Sequence, residues 1–216
     1  VPIGDELPET AALPSIRQPC LTASEPLNLL SEVAVLDAYG MLGVLPARST
    51  RLRSGVISRL TEAEALFPNG FTLIVLDGWR CLREQQRVLK YYGSQAGELG
   101  FVAPVDPKGA RPPHTTGGAV DLTLCWHGVA LGLGTDYDAF VEASRLETFE
   151  DGSDELVRRL RRLLANVLDS CGMVCYSSEW WHWSYGDDVW AAASGRDAIY
   201  EIWELEAESR PLSGVS

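Results

Sequence analysis

Pro113-His114-Thr115-Thr116-Gly117-Gly118-Ala119-Val120-Asp121-Leu122-Thr123-Leu124-Cys125-Trp126-His127-Gly128 is the stretch from which the fold can be read. Ala119 to Trp126 alternates and is rich in Val, Leu and Thr, the pattern of a strand. His127-Gly128 then turns the chain into a second apolar run, Val129 to Leu133, which predicts a hairpin. Upstream, Phe71 to Leu76 is a continuous apolar run between Asn69-Gly70 and Asp77-Gly78, the pattern of a buried strand. Helices are expected from Leu29 to about Leu45, from Ser54 to Phe67, where Val56, Ile57, Leu60, Ala63 and Leu66 keep helical spacing, and from Arg80 to Tyr92. Downstream, caps at 151–154 precede Leu156, Leu160, Leu163, Leu164, Val167 and Leu168, with Arg158, Arg159, Arg161 and Arg162 expected on the solvated face. Met173 to Tyr176 and Trp180 to Tyr185 are strand-like, and Ala198 to Leu205 reads as a last strand or short helix. The order is not a regular βαβ alternation, so the expected class is α+β, an antiparallel central sheet covered by helices.

Five prolines at 2, 8, 14, 19 and 26 forbid a long helix at the start, so residues 1–27 are expected to form an irregular proline-rich arm and 28–216 a single domain. Residues 93–113 hold four glycines and four prolines, too long for a simple turn, and such loops are often functional. The 216 residues are 46% hydrophobic and 22% charged, enough for one domain with a core. A net charge of -12 argues against nucleic acid as a partner. No run reaches the length of a membrane span and no basic-then-apolar leader is visible. Five scattered cysteines make an odd number and no staple framework, so a reducing, cytoplasmic setting is expected. Cys171 and Cys175 lack further ligands and read as buried thiols at a helix exit and the next strand.

The chemistry concentrates on two of the three histidines. His114 and Asp121 flank a Gly-Gly break that lets an imidazole and a carboxylate converge, and His182 can complete a set of three. Two His and one carboxylate leave a fourth position open on zinc, as in catalytic sites. The plainer alternative has His114 capping a loop and Asp121 hydrogen-bonded in a strand. Glu179 precedes His182 by three residues, which an ideal strand would place on opposite faces, so a shared site there requires a bulge, turn or helical step. Trp180, Trp181 and Trp183 are expected to wall the site and desolvate Glu179, raising its pKa toward that of a working general base.

Three separated motifs, His114-x-x-Gly117-x-Ala119-x-Asp121, Glu179-Trp180-Trp181-His182 and Asp77-Gly78-Trp79-Arg80, occur in order. Over residues 28 to 190 the chain resembles the zinc D-alanyl-D-alanine dipeptidases of the VanX type, within the D,D-peptidases that share a zinc fold with hedgehog domains. The resemblance implies one Zn2+ per chain on His114, Asp121 and His182, water activation by Glu179, and a substrate-carbonyl contact from Arg80. Gly134-Thr135-Asp136-Tyr137-Asp138 is similar to the family's Gly-x-x-Phe-Asp stretch, which implies that Asp138 holds the free amino group of a small dipeptide substrate. The chain departs from the family where Pro112 and Pro113 replace two serines, removing side-chain donors beside the substrate, and where Cys81 follows the arginine in place of Pro. A D,D-carboxypeptidase or endopeptidase acting on cell-wall peptides, an amide hydrolase for another small metabolite, and a non-catalytic zinc-binding interaction domain are the rival readings. Retention of Glu179 and Arg80 speaks against the last.

Overall fold

The computed structural model describes residues 25–93 and 111–203. The expected arm at 1–27 lies outside the described residues except for its last three, as do most of the glycine- and proline-rich loop and Cys20. The chain runs through β1 (Leu27–Leu29), β2 (Ala34–Val35), α1 (Ala38–Met41), β3 (Arg51–Arg53), α2 (Ser54–Leu66), β4 (Phe71–Asp77), α3 (Leu82–Tyr92), α4 (Pro113–Thr116), β5 (Ala119–Trp126) and β6 (Val129–Ala130). It continues into α5 (Glu155–Ser170), β7 (Val174–Cys175), β8 (His182–Ser184) and α6 (Asp188–Ser194). The main sheet has the order β2-β4-β5-β8-β7, with β6 completing the predicted hairpin on β5, while β1 and β3 pair separately.

The expectation of a purely antiparallel sheet is corrected at one edge. β2 runs parallel to β4, Ala34 opposite Ile74 and Val35 opposite Val75, so the fold is mixed α/β with a mixed sheet. The same segment corrects the helix expected from Leu29 to Leu45. Asp37 caps a helix of only four residues, Gly43 takes φ 70°, and pairing with the edge of β4 draws residues 34–35 into the sheet. The Ala198 to Leu205 expectation is also overturned as far as Trp203, where the chain has no regular element.

β5 is the pivot. Val120, Leu122 and Leu124 join Val56, Leu60, Leu163, Leu164 and Leu168 of α2 and α5 in the main core. Alternation therefore turns Asp121 to the opposite face. Antiparallel pairing sets Asp121 opposite His182, so both side chains leave the sheet on that face, while Trp183 enters the core. In β4, Leu73 and Val75 face the core, and continued alternation would send Asp77 there too. A register shift between Val75 and Asp77 puts Asp77 opposite Asp121 instead, so one bulge delivers a carboxylate to the polar face. α2 and α5 thus seal one face of the sheet, and the other carries the charged groups.

One of the four α5 arginines corrects the solvated-face expectation. Arg161 is 2% exposed, and its guanidinium donates to the carbonyls of Leu133 (2.8 Å), Arg145 (2.5 Å) and Ala143 (2.8 Å), tying the irregular 131–151 segment to the helix. Burial lowers its pKa to about 10, still above neutrality. The described cysteines are free thiols, and burial pushes Cys171 and Cys175 above the ordinary thiol range; Cys171 is buried as expected, whereas Cys175 is half-buried and lines the polar cavity. No helix among the described residues is long and apolar enough to cross a membrane.

Replacing Arg161 with Met leaves the buried Leu133 carbonyl and the part-buried carbonyls of Arg145 and Ala143 without their donor, and a buried group left unpaired costs about 1–3 kcal/mol. Urea denaturation should show a loss of at least ~2 kcal/mol. Arg158→Ala on the outer face of the same helix should stay within about 0.5 kcal/mol.

Candidate metal centre and active-site cavity

His114, Asp121 and His182 meet on the polar face, all buried. His114 comes from the single turn α4, which Pro113 starts and Gly117, at φ 74°, ends. The Gly-Gly break thus reverses the chain so that His114 looks back at Asp121 on the strand that follows. His114 Nε2 lies 3.2 Å from His182 Nδ1 and 3.3 Å from Asp121 Oδ1, and His182 Nδ1 lies 3.1 Å from the same oxygen. Three atoms bound at about 2.0–2.1 Å to one tetrahedral zinc stand ~3.3 Å apart, so the spacing suits that ion.

The hydrogen bonding supports the same fit. His114 Nδ1 is 2.8 Å from the Gly78 carbonyl, which can only accept, so the ring's proton is on Nδ1 and Nε2 offers a lone pair. Burial, reinforced by the charge of Arg80, lowers the His114 pKa and keeps the ring neutral. Burial pushes the Asp121 carboxyl up, and only positive charge beside it, an imidazolium or a bound cation, brings it below the usual range. Asp121 Oδ1 is buried with no hydrogen-bond donor among the described residues. A lone pair and an anionic oxygen directed into one buried space call for a cation.

Glu179 stands beside this trio, with Oε2 3.9 Å from His182 Nδ1. The required local bend is a tight turn between β7 and β8: Glu179 N–H donates to Tyr176 O (2.9 Å) and His182 N–H donates to Glu179 O (3.2 Å). Burial, then the charges of Asp121 and Asp138, raise the Glu179 pKa well above the carboxylate range. The tryptophan expectation is half corrected. Trp180, Trp181 and Trp183 belong to the main core and none lines the cavity.

Arg80 and Asp138 line the same cavity of about 660 Å³ as the trio and Glu179. Arg80 follows the end of β4, bonded to Gln85 Oε1 (3.0 Å) and paired with Asp77 (2.8 Å). Burial opposes its charge, but Asp77 and its neighbours more than offset that. Asp138 takes the left-handed region at φ 56°, which Asp tolerates better than most residues, and accepts from the hydroxyls of Tyr39 (2.7 Å) and Tyr92 (2.8 Å). Burial and the Asp121 charge raise it to about 7. The structure thus brings together all six residues singled out in the sequence.

It also shows partners that the sequence did not reveal. Asp77 ties Arg80 to Arg48 (2.5 Å), Tyr39 and Tyr92 grip Asp138, and Tyr137 donates to Asp121 Oδ2 at 2.8 Å. Asp77 and Tyr137 stand within quoted stretches, but nothing there marked them as partners of the site. Tyr39 and Arg48 come from a segment whose course depends on its pairing with the sheet edge. No local pattern marks Tyr92 at the end of its helix.

A family model described as D-ala-D-ala dipeptidase, peptidase M15, matches residues 46–198. Among curated relatives, the D-alanyl-D-alanine dipeptidase of Synechocystis sp. is 28% identical over 175 residues, covering 65% of this chain and 71% of the relative. The D-alanyl-D-alanine dipeptidase of Enterococcus faecalis is 31% identical over 106 residues, 46% of this chain and 48% of the relative. That of Streptomyces coelicolor is 29% identical over 135 residues, 55% and 64% respectively. The match spans about half the length of the second relative and just under two thirds of the third. With 153 matched residues running from just before β3 to beyond α6, including His114, Asp121, His182, Glu179, Arg80 and Asp138, the chain belongs to the D-ala-D-ala dipeptidase family of peptidases.

Proposed function

We propose that the protein is a zinc-dependent dipeptidase that hydrolyses D-alanyl-D-alanine or a related D-residue-containing dipeptide with a free amino end. The observation that carries this reading is the convergence of His114, Asp121 and His182 within one cavity beside a buried carboxyl, Glu179, and an anionic anchor, Asp138. A zinc ion held by the trio supplies Lewis-acid polarisation of a carbonyl and acidifies water to a pKa of about 7. Glu179 is the general base: it takes the proton of the attacking water and hands it to the leaving amine nitrogen. Its raised pKa fits both halves of that transfer. Arg80, fixed by Asp77 and Gln85, donates to the scissile carbonyl oxygen as negative charge develops there. By analogy with other oxyanion donors, its loss adds about 3–4 kcal/mol to the barrier. Asp138 takes the substrate ammonium, which makes the enzyme exo-acting, since a longer peptide presents no charge at that position. Pro112 and Pro113 offer no side-chain donor at the carboxylate end, so selection there is looser than selection at the amino end.

Glu179→Ala should keep its metal content while turnover of D-alanyl-D-alanine falls roughly 10²- to 10⁴-fold. Activity near that of the wild type would remove Glu179 from its role.

A second prediction concerns Asp138 and pH. An anchor raised from 3.8 to about 7 loses its charge as pH falls through about 7, so kcat/KM should fall in that window. Asp138→Asn should chiefly raise KM, and acetylating the substrate's amino end should have a similar effect on the wild type. Equal rates on free and acetylated peptides would favour the carboxypeptidase reading. The same shift has an opposite sign for stability. The folded carboxyl binds its proton more tightly than the unfolded one, so this group's contribution to stability falls as pH rises from about 4 to 7. Melting temperatures across that range should therefore decline less steeply in Asp138→Asn.

A further inference from the structure

We propose that Tyr137 is a positioning residue of the metal centre, whose hydroxyl fixes the Asp121 carboxylate so that Oδ1 alone faces the ion. This rests on the zinc reading above. An ionised carboxylate only accepts, so the phenol is the donor in the 2.8 Å bond to Asp121 Oδ2. Oδ2 also lies 4.0 Å from Arg80 Nη2, so both of its neighbours are donors. Oδ1 has no donor among the described residues and lies 3.1 and 3.3 Å from the ligand nitrogens of His182 and His114. The two oxygens of one carboxylate are therefore chemically distinguished: one held by the protein, one left for a cation.

The phenol ring is fixed independently of its hydroxyl. It packs edge-on against Trp181 (centroids 5.6 Å, 74°) and Tyr39 (6.0 Å, 65°). Tyr137 does not line the cavity, so it acts through Asp121 and not on the substrate. Without the hydroxyl, Asp121 is free to rotate about its terminal bond toward a bidentate or misdirected geometry. Partners that orient a ligand in this way typically account for a 10- to 100-fold difference in metal affinity.

The test is the zinc dissociation constant of Tyr137→Phe, measured by competition with a chromophoric chelator, together with the melting temperature of each apoprotein. Tyr39→Phe serves as the control, since it removes a neighbouring hydroxyl that bonds Asp138 instead. The expected result is a Kd roughly 10- to 100-fold weaker in Tyr137→Phe, with an unchanged apoprotein melting temperature and wild-type affinity in Tyr39→Phe. An unchanged Kd in Tyr137→Phe overturns the inference and leaves the zinc reading intact, as does an equal loss of affinity in both variants. An apoprotein that melts earlier while zinc affinity is unchanged assigns the hydroxyl to fold stability and also overturns it. A wild-type protein that takes up no zinc overturns both.

Discussion

Among the described residues, Asp77, Asp121, Asp138 and Glu179 surround a space in which Arg80 is the buried guanidinium, with Arg48 behind it and the partly exposed Arg111 at the cavity wall, and this excess of acidic groups is the constraint on which the site depends. Asp77 is compensated by the two arginines and Asp138 by two tyrosine hydroxyls. Asp121 Oδ1 and Glu179 Oε1 have no donor among the described residues. Removing such groups from water is costly unless a charge partner arrives, so the protein spends stability to hold them together. The sheet bears that cost. Pairing of Asp121 with both Asp77 and His182 across β4, β5 and β8 places three polar side chains on one level, while the opposite face of the same strands is sealed by α2 and α5.

The same crowding separates the carboxyls by role. Asp121 is held ionised only by positive charge at its Oδ1, while burial and the charges of Asp121 and Asp138 push Glu179 well above the ordinary carboxylate range. Two acids in one cavity that titrate far apart suit a metal ligand and a proton carrier. Asp138, raised to about 7, suits an anchor for a charged amine. No loop has to move to bring these groups together. They are set by strand register, one bulge, one glycine-ended turn and a tight turn at Glu179.

Much of this was legible before any coordinates. The strand at Ala119–Trp126, the hairpin at His127-Gly128, the buried strand at Phe71 and the helices at Ser54, Arg80 and Asp154 follow from period and punctuation, and the structure places them within a residue or two. His114, Asp121, His182 and Glu179 were legible because rare histidines sat in glycine-marked or aromatic-rich contexts beside carboxylates, whereas Arg80 and Asp138 were reached only through the family resemblance. The failures have a common physical origin. Residues 29–45 look helical by composition but answer to the edge of β4. Arg161 looks like its three neighbours but answers to carbonyls from a segment 16 to 28 residues away. Tyr92 carries no local signal, and Tyr137, though inside a quoted stretch, was not singled out, because their importance lies in what their hydroxyls reach across the fold.

The central claim is that His114, Asp121 and His182 form a cation site, and the most direct test is the zinc K-edge X-ray absorption spectrum of protein loaded with one equivalent of the ion. The account predicts four light-atom neighbours at about 2.0–2.1 Å, with the outer-shell scattering of two imidazole rings and no sulfur at about 2.3 Å. A first shell containing sulfur, or scattering from fewer than two imidazoles, would contradict it.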